Sequence, residues 1–134
     1  MNTPKRNQIK AGLNVAIADE DILDLFPVDS FDVVFSVSVL DHLPYPAPVL
    51  ANLARIARRA VLLLEPWLGE EGKVVRNFNV QQNSMIDTTP YSYSWNYVTL
   101  GKQVLPDWKL LETPYPMNSN LGRFYSLYSF ESSE

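Results

Sequence analysis

The chain has no cysteine, which excludes disulfides and thiolate metal sites. It has one histidine, His42, and a single histidine does not build a usual zinc site. Glycine is scarce: five in 134 residues, with Gly12 alone among the first 27. Basic residues are outnumbered, 11 Lys and Arg against 15 Asp and Glu, for a net charge of −4. A nucleic-acid-binding face needs clustered Lys and Arg to neutralise phosphates. The one such cluster is Arg55, Arg58 and Arg59, placed late in an expected helix, where the helix dipole favours cations. No segment reaches the roughly 18 apolar residues that span a bilayer. Lys5, Arg6 and Lys10 precede the mildly apolar AGLNVAIA, but Asn14 interrupts it and Asp19, Glu20 and Asp21 follow at once. A secretory core is longer and cleaner, so a cytoplasmic protein is expected.

What is present is enough to fold. Hydrophobic residues make up 46% of the chain, and its length fits a single domain over residues 1–134. Residues 1–12 read as a tail or the stub of a helix. Leu13–Ala18 (LNVAIA) is a short apolar run, a plausible buried strand, and Asp29-Ser30 a turn. Phe31–Val39 (FDVVFSVSV) is the strongest strand signal: nearly continuous β-branched and aromatic residues, as in a strand covered on both faces. LPYPAP, residues 43–48, carries three prolines and reads as irregular, with Pro48 in the first turn of a helix ending near Arg59. Ala60–Leu64 is a second buried strand, closed by Glu65-Pro66-Trp67. Leu68–Pro90 reads as a long loop or lid, Tyr91–Leu105 as a helix, and Trp108–Thr113 with Arg123–Glu131 as an antiparallel pair joined through Tyr115–Asn118. That order of elements is α/β.

The block from Val28 to Trp67, VDSFDVVFSVSVLDHLPYPAPVLANLARIARRAVLLLEPW, is strand, turn, helix, strand. It resembles the middle of a class I S-adenosylmethionine-dependent methyltransferase of the small-molecule type 11 kind. The resemblance implies a three-layer, Rossmann-like mixed sheet ending in an antiparallel strand pair, and methyl transfer from S-adenosylmethionine to a small molecule. It extends from about Leu13 onward.

The resemblance also assigns residues. Asp21 and Ile22 match the corner that holds the adenine, with Asp19 a rival. Ser36, Val37 and Ser38 match the strand end beside the donor's methionine part, and open α/β sheets bind ligands at such carboxyl ends. His42, after Asp41, is a candidate general base. Tyr45, Glu65 and Trp67 would wall a substrate, and Tyr91, Tyr93, Trp95 and Tyr97 add aromatic surface able to face a sulfonium cation. Each has a plainer reading: three acids as a solvated strand end, a histidine that packs and hydrogen-bonds its loop, aromatics that fill the sheet face.

In the family a glycine-rich turn after a first strand, and an acid after a second, hold the donor. Nothing before Leu13 matches them, so the chain is expected to be truncated on the N-terminal side and to bind S-adenosylmethionine weakly or not at all. A non-catalytic binding or scaffolding subunit is the alternative. In the family order 3-2-1-4-5-7-6 the missing strands leave a gap of about 14 Å. Either Leu13–Ala18 pairs directly beside Phe31–Val37 in a five-stranded sheet, or a second copy or partner chain covers the open edge.

Overall fold

The computed structural model describes residues 18–75, 91–114 and 124–133. Its centre is a four-stranded mixed sheet. β1 (Phe31–Val37) lies parallel to β2 (Ala57–Pro66), with Val34 opposite Val61 and Val37 opposite Leu64. β6 (Tyr125–Glu131) runs antiparallel to β2 and to β5 (Lys109–Pro114), giving the order β1-β2-β6-β5. The α/β class and the closing antiparallel pair are as the sequence implies. Leu13–Ile17 and the Tyr115–Asn118 link lie outside the described residues, so the described sheet has four strands and β1 is its edge.

α1 (Pro46–Ile56) is the crossover between β1 and β2. It begins inside the stretch read as irregular, because Pro46 and Pro48 both fall in the first turn, where no N–H is needed. It ends at Ile56, earlier than Arg59, because residues 57–66 pair with β1 and β6. Two of the three arginines therefore sit on a strand: Arg58 binds Asp32 across the start of the sheet. Arg55, still helical, donates to the carbonyl of Leu23 at 2.9 Å and pins the 3-10 helix Glu20–Leu25 to α1.

The segment expected as one helix over Tyr91–Leu105 divides. β4 (Tyr91–Ser94) pairs antiparallel with β3 (Gly72–Val75), a strand within the expected loop. α2 (Tyr97–Val104) then starts on Asn96, whose side chain accepts the N–H of Thr99 at 3.1 Å.

Both α-helices pack on one face of the sheet. Leu50 and Leu53 of α1 and Tyr97 of α2 meet Val61, Leu63, Tyr128 and Phe130, all 6% exposed or less. Each such side chain contributes roughly 1.5–3 kcal/mol by leaving water. Gly101 lets α2 settle directly onto the Phe130 ring. The alternate residues form the other face, which no described helix covers: Val33, Phe35 and Val37 of β1 are 47%, 68% and 52% exposed, and Leu111 of β5 is 60% exposed. β1 was expected to be covered on both faces; as an edge strand it is covered on one. Among the described residues no helix is long and apolar enough to cross a membrane.

Candidate functional site

The carboxyl ends of β1 and β2 enclose a buried acid. Glu65, next to last in β2, has no exposed surface. One oxygen accepts the N–H groups of Val39 and Leu40 at 3.0 and 3.1 Å; the other accepts that of Asp41 at 3.2 Å. The Tyr97 hydroxyl donates to Glu65 at 3.4 Å. The chain is turned for this by Ser38, whose φ of 53° lies in the left-handed region rarely used by residues other than glycine. Its own N–H still donates to Leu64 at 2.8 Å, so the turn begins at the last rung of the ladder. Three successive N–H groups then converge on one carboxylate, as in an anion nest.

Asp41 is also buried. It accepts from the Ser38 hydroxyl at 3.0 Å, and Ser38 in turn shares a 2.8 Å hydrogen bond with Tyr125 of β6. Its second oxygen lies 3.5 Å from His42 Nε2, and His42 reaches the surface with about a third of its side chain. A polar chain thus runs from Tyr125 through Ser38 and Asp41 to an accessible imidazole. A buried carboxylate that orients an exposed histidine is an arrangement suited to moving a proton.

Burial, and next the charge of Asp41, push the Glu65 carboxyl up to about 8, against the pull of the three N–H donors. Burial, followed by the charges of Glu65 and Asp41, holds the Tyr97 phenol above its ordinary range. Two acids and a phenol in one dry pocket disfavour each other's ionisation.

The structure brings together part of the set read from the sequence. Ser38, His42 and Glu65 share the strand-end cluster. Ser36 lies one step back on β1, with its hydroxyl buried and without a hydrogen-bond partner. Val37 points to the open face and is half exposed. Glu65, expected in a substrate wall, is instead turned inward and engaged by the loop; it shapes the site from behind. Tyr45 is 79% exposed at the start of α1, whereas Trp67 is half-buried and bonded through its N–H to Phe124 at 3.0 Å. The aromatic surface nearest the loop is the stacked pair Tyr93 and Trp95, with ring centroids 5.4 Å apart. Trp95 donates to the carbonyl of Leu43 at 3.0 Å. Tyr97 belongs to the core.

Asp21 and Ile22 stand apart. They lie on the 3-10 helix, whose described bonds run from Leu23 and Asp24 to Arg55 and Asn52. Those residues sit at the end of α1 that feeds the start of β2, the opposite end of the sheet from Ser38. The sequence reading missed Tyr125, which lies 87 residues from its partner Ser38; no local pattern signals such a bond.

The family model described as "Methyltransferase domain" matches residues 1–64, which include β1, α1 and most of β2. The strand order and the antiparallel last pair recur in solved methyltransferases. The chain has the fold of the class I S-adenosylmethionine-dependent methyltransferases. One similar structure is the magnesium protoporphyrin IX methyltransferase of Synechocystis PCC 6803 with bound SAH: TM-score 0.55, 15% identity, covering 95% of this chain and 56% of that one. A second is an S-adenosylmethionine-dependent methyltransferase of Mesorhizobium loti: TM-score 0.58, 13% identity, covering 90% and 69%. A third is a methyltransferase solved in complex with a methyltransferase activator from Haloferax volcanii: TM-score 0.55, 13% identity, covering 98% and 65%. This chain thus spans about half to two thirds of the length of these methyltransferases. At such identities the likeness is one of fold. No curated protein matches in sequence.

Proposed function

We propose that this chain forms the substrate-side part of a methyl-transfer site for a small molecule, with His42, oriented by Asp41, as its acid–base group. The observation that carries the reading is the Ser38–Asp41–His42 chain at the carboxyl ends of two parallel strands, where open α/β sheets bind their ligands. The donor in this fold is S-adenosylmethionine. The residues present fit one end of it: the orphaned Ser36 hydroxyl and the Ser38 turn suit the methionine portion. Asp21 and Ile22 remain the candidates for the adenine, on an element anchored at the other end of the sheet. When bound, the donor supplies an electrophilic methyl group. His42 would take the proton that an acceptor hydroxyl or amine releases, Asp41 would steady the imidazolium, and Tyr93 with Trp95 would face a flat or apolar acceptor.

On this reading the single chain binds the donor weakly, as no described strand end offers a glycine-rich turn. A chain contributing part of a site also works with a partner, as does the Haloferax volcanii neighbour. Calorimetric titration of S-adenosylmethionine into the protein tests this. Weak heats that His42→Ala leaves unchanged and Ser38→Trp abolishes support the reading. Low-micromolar binding would refute the partial site, and weak heats that survive Ser38→Trp would move the site elsewhere.

The second reading is a non-catalytic binding or scaffolding subunit. The uncovered apolar sheet face favours it.

A further inference from the structure

One face of the sheet is complete and the other is bare. Paired residues across the four strands form the row Phe35–Leu62–Ser129–Leu111 on the bare side. Val33 and Val37 flank Phe35 on the same face. The exposed fractions of Val33, Phe35, Val37 and Leu111 amount to roughly 400 Å² of apolar surface, the size at which patches on single proteins mark interaction sites.

We propose that this face docks a second copy of the same chain, sheet against sheet. Three features favour a copy as the occupant. First, the row is large, large, small, large. A two-fold axis along β2, midway between facing sheets about 10 Å apart, sets each Phe35 over the small Ser129 of the other copy and Leu62 over Leu62. The projecting ring then fills the only dip in the row, and does so twice. Second, the charges beside the patch cancel. Lys109 and Glu131 are paired across β5 and β6 at its end, so two identical faces do not repel. Third, the area suits a dimer. With the half-buried centre included, two copies cover roughly 1,000 Å², the lower bound for a specific interface, which implies a reversible dimer. This contact uses the face of the sheet and leaves the edge of β1 untouched. It is independent of the methyl-transfer reading.

The test is sedimentation velocity of the full chain over about 5 to 500 µM, a range that brackets a micromolar dissociation constant. The expected result is a shift from the mass of one chain to twice that mass. Phe35→Asp and Leu111→Asp should each weaken the dimer at least about tenfold. Val28→Asp, which removes an equally exposed apolar side chain off the sheet, should leave it unchanged. Hydroxyl-radical footprinting of the unaltered protein reads the same surface without substitution: Phe35 and Leu111 should be labelled at low concentration and protected at high concentration. A monomer throughout the range overturns the proposal. So does a dimer that Val28→Asp disrupts and Phe35→Asp does not, or one in which Phe35 stays labelled. Protection of Phe35 at every concentration by residues of its own chain overturns it as well.

Discussion

Glu65 accepts the backbone N–H of Leu40 at 3.1 Å, across 25 residues of chain, in a pocket with no access to water. With Val39 and Asp41 beside it, that bond fastens the loop after β1 to the end of β2. Removing the carboxylate leaves buried donors without partners, each costing about 1–3 kcal/mol. Glu65→Ala should therefore destabilise the fold by on the order of 3 kcal/mol or more, and Glu65→Gln, which keeps one acceptor oxygen, by clearly less. Urea unfolding of the two variants checks the order. Equal losses would mean that the nest adds little beyond packing.

The same residue makes stability depend on pH in an unusual direction. Its folded pKa, about 8, lies above the ordinary 4.5, so between these values the folded state holds a proton that the unfolded state has released. Glu65 thus favours the fold most below pH 4.5, and that contribution fades as pH rises towards 8. The slope should approach about 1.4 kcal/mol per pH unit at its steepest. Urea midpoints measured from pH 5 to 9 should fall for the unaltered protein and flatten for Glu65→Gln. A flat profile in the unaltered protein would show that Glu65 is charged in the fold.

Asp41 is the second cause of that shift, after burial. Asp41→Asn removes the neighbouring charge but keeps an oxygen for Ser38. The midpoint of the Glu65 titration, followed by carboxyl carbon chemical shift, should move down, and the stability slope should move with it. An unchanged midpoint would separate the two acids.

Sequence and structure agree where one signal dominates. The β-branched runs of β1 and β2 and the alternation in β5 and β6 were legible because burial sets their period. The proline-rich start of α1 was not: three prolines in six residues look irregular, yet two of them fit the free first turn. β3 and β4 were hidden because a four-residue strand is defined by its pairing partner, and Gly72–Val75 finds its partner at Tyr91–Ser94. At the site, Ser38 and His42 stood out by position at a strand end. The burial of Glu65 did not, because acids usually lie at the surface and its partners are backbone N–H groups, which every sequence has.

Gly101 tests the packing of α2 on the sheet. A methyl group there falls within the ring of Phe130, which is 1% exposed and held in the core. Alanine would gain up to about 1 kcal/mol in helix propensity but force an overpacked core costing typically 1–3 kcal/mol. Gly101→Ala should lower the thermal midpoint by a few degrees. A rise would show that Phe130 can turn aside.

The central claim is that the carboxyl ends of β1 and β2 form a ligand site that holds S-adenosylmethionine weakly from its methionine side. Amide chemical shifts, recorded while S-adenosylmethionine is titrated to millimolar concentration, test it most directly. The account predicts fast-exchange shifts without saturation at micromolar donor, concentrated on Ser36, Ser38, Asp41 and His42. Saturation at low micromolar donor, or shifts confined to residues away from that loop, would contradict it.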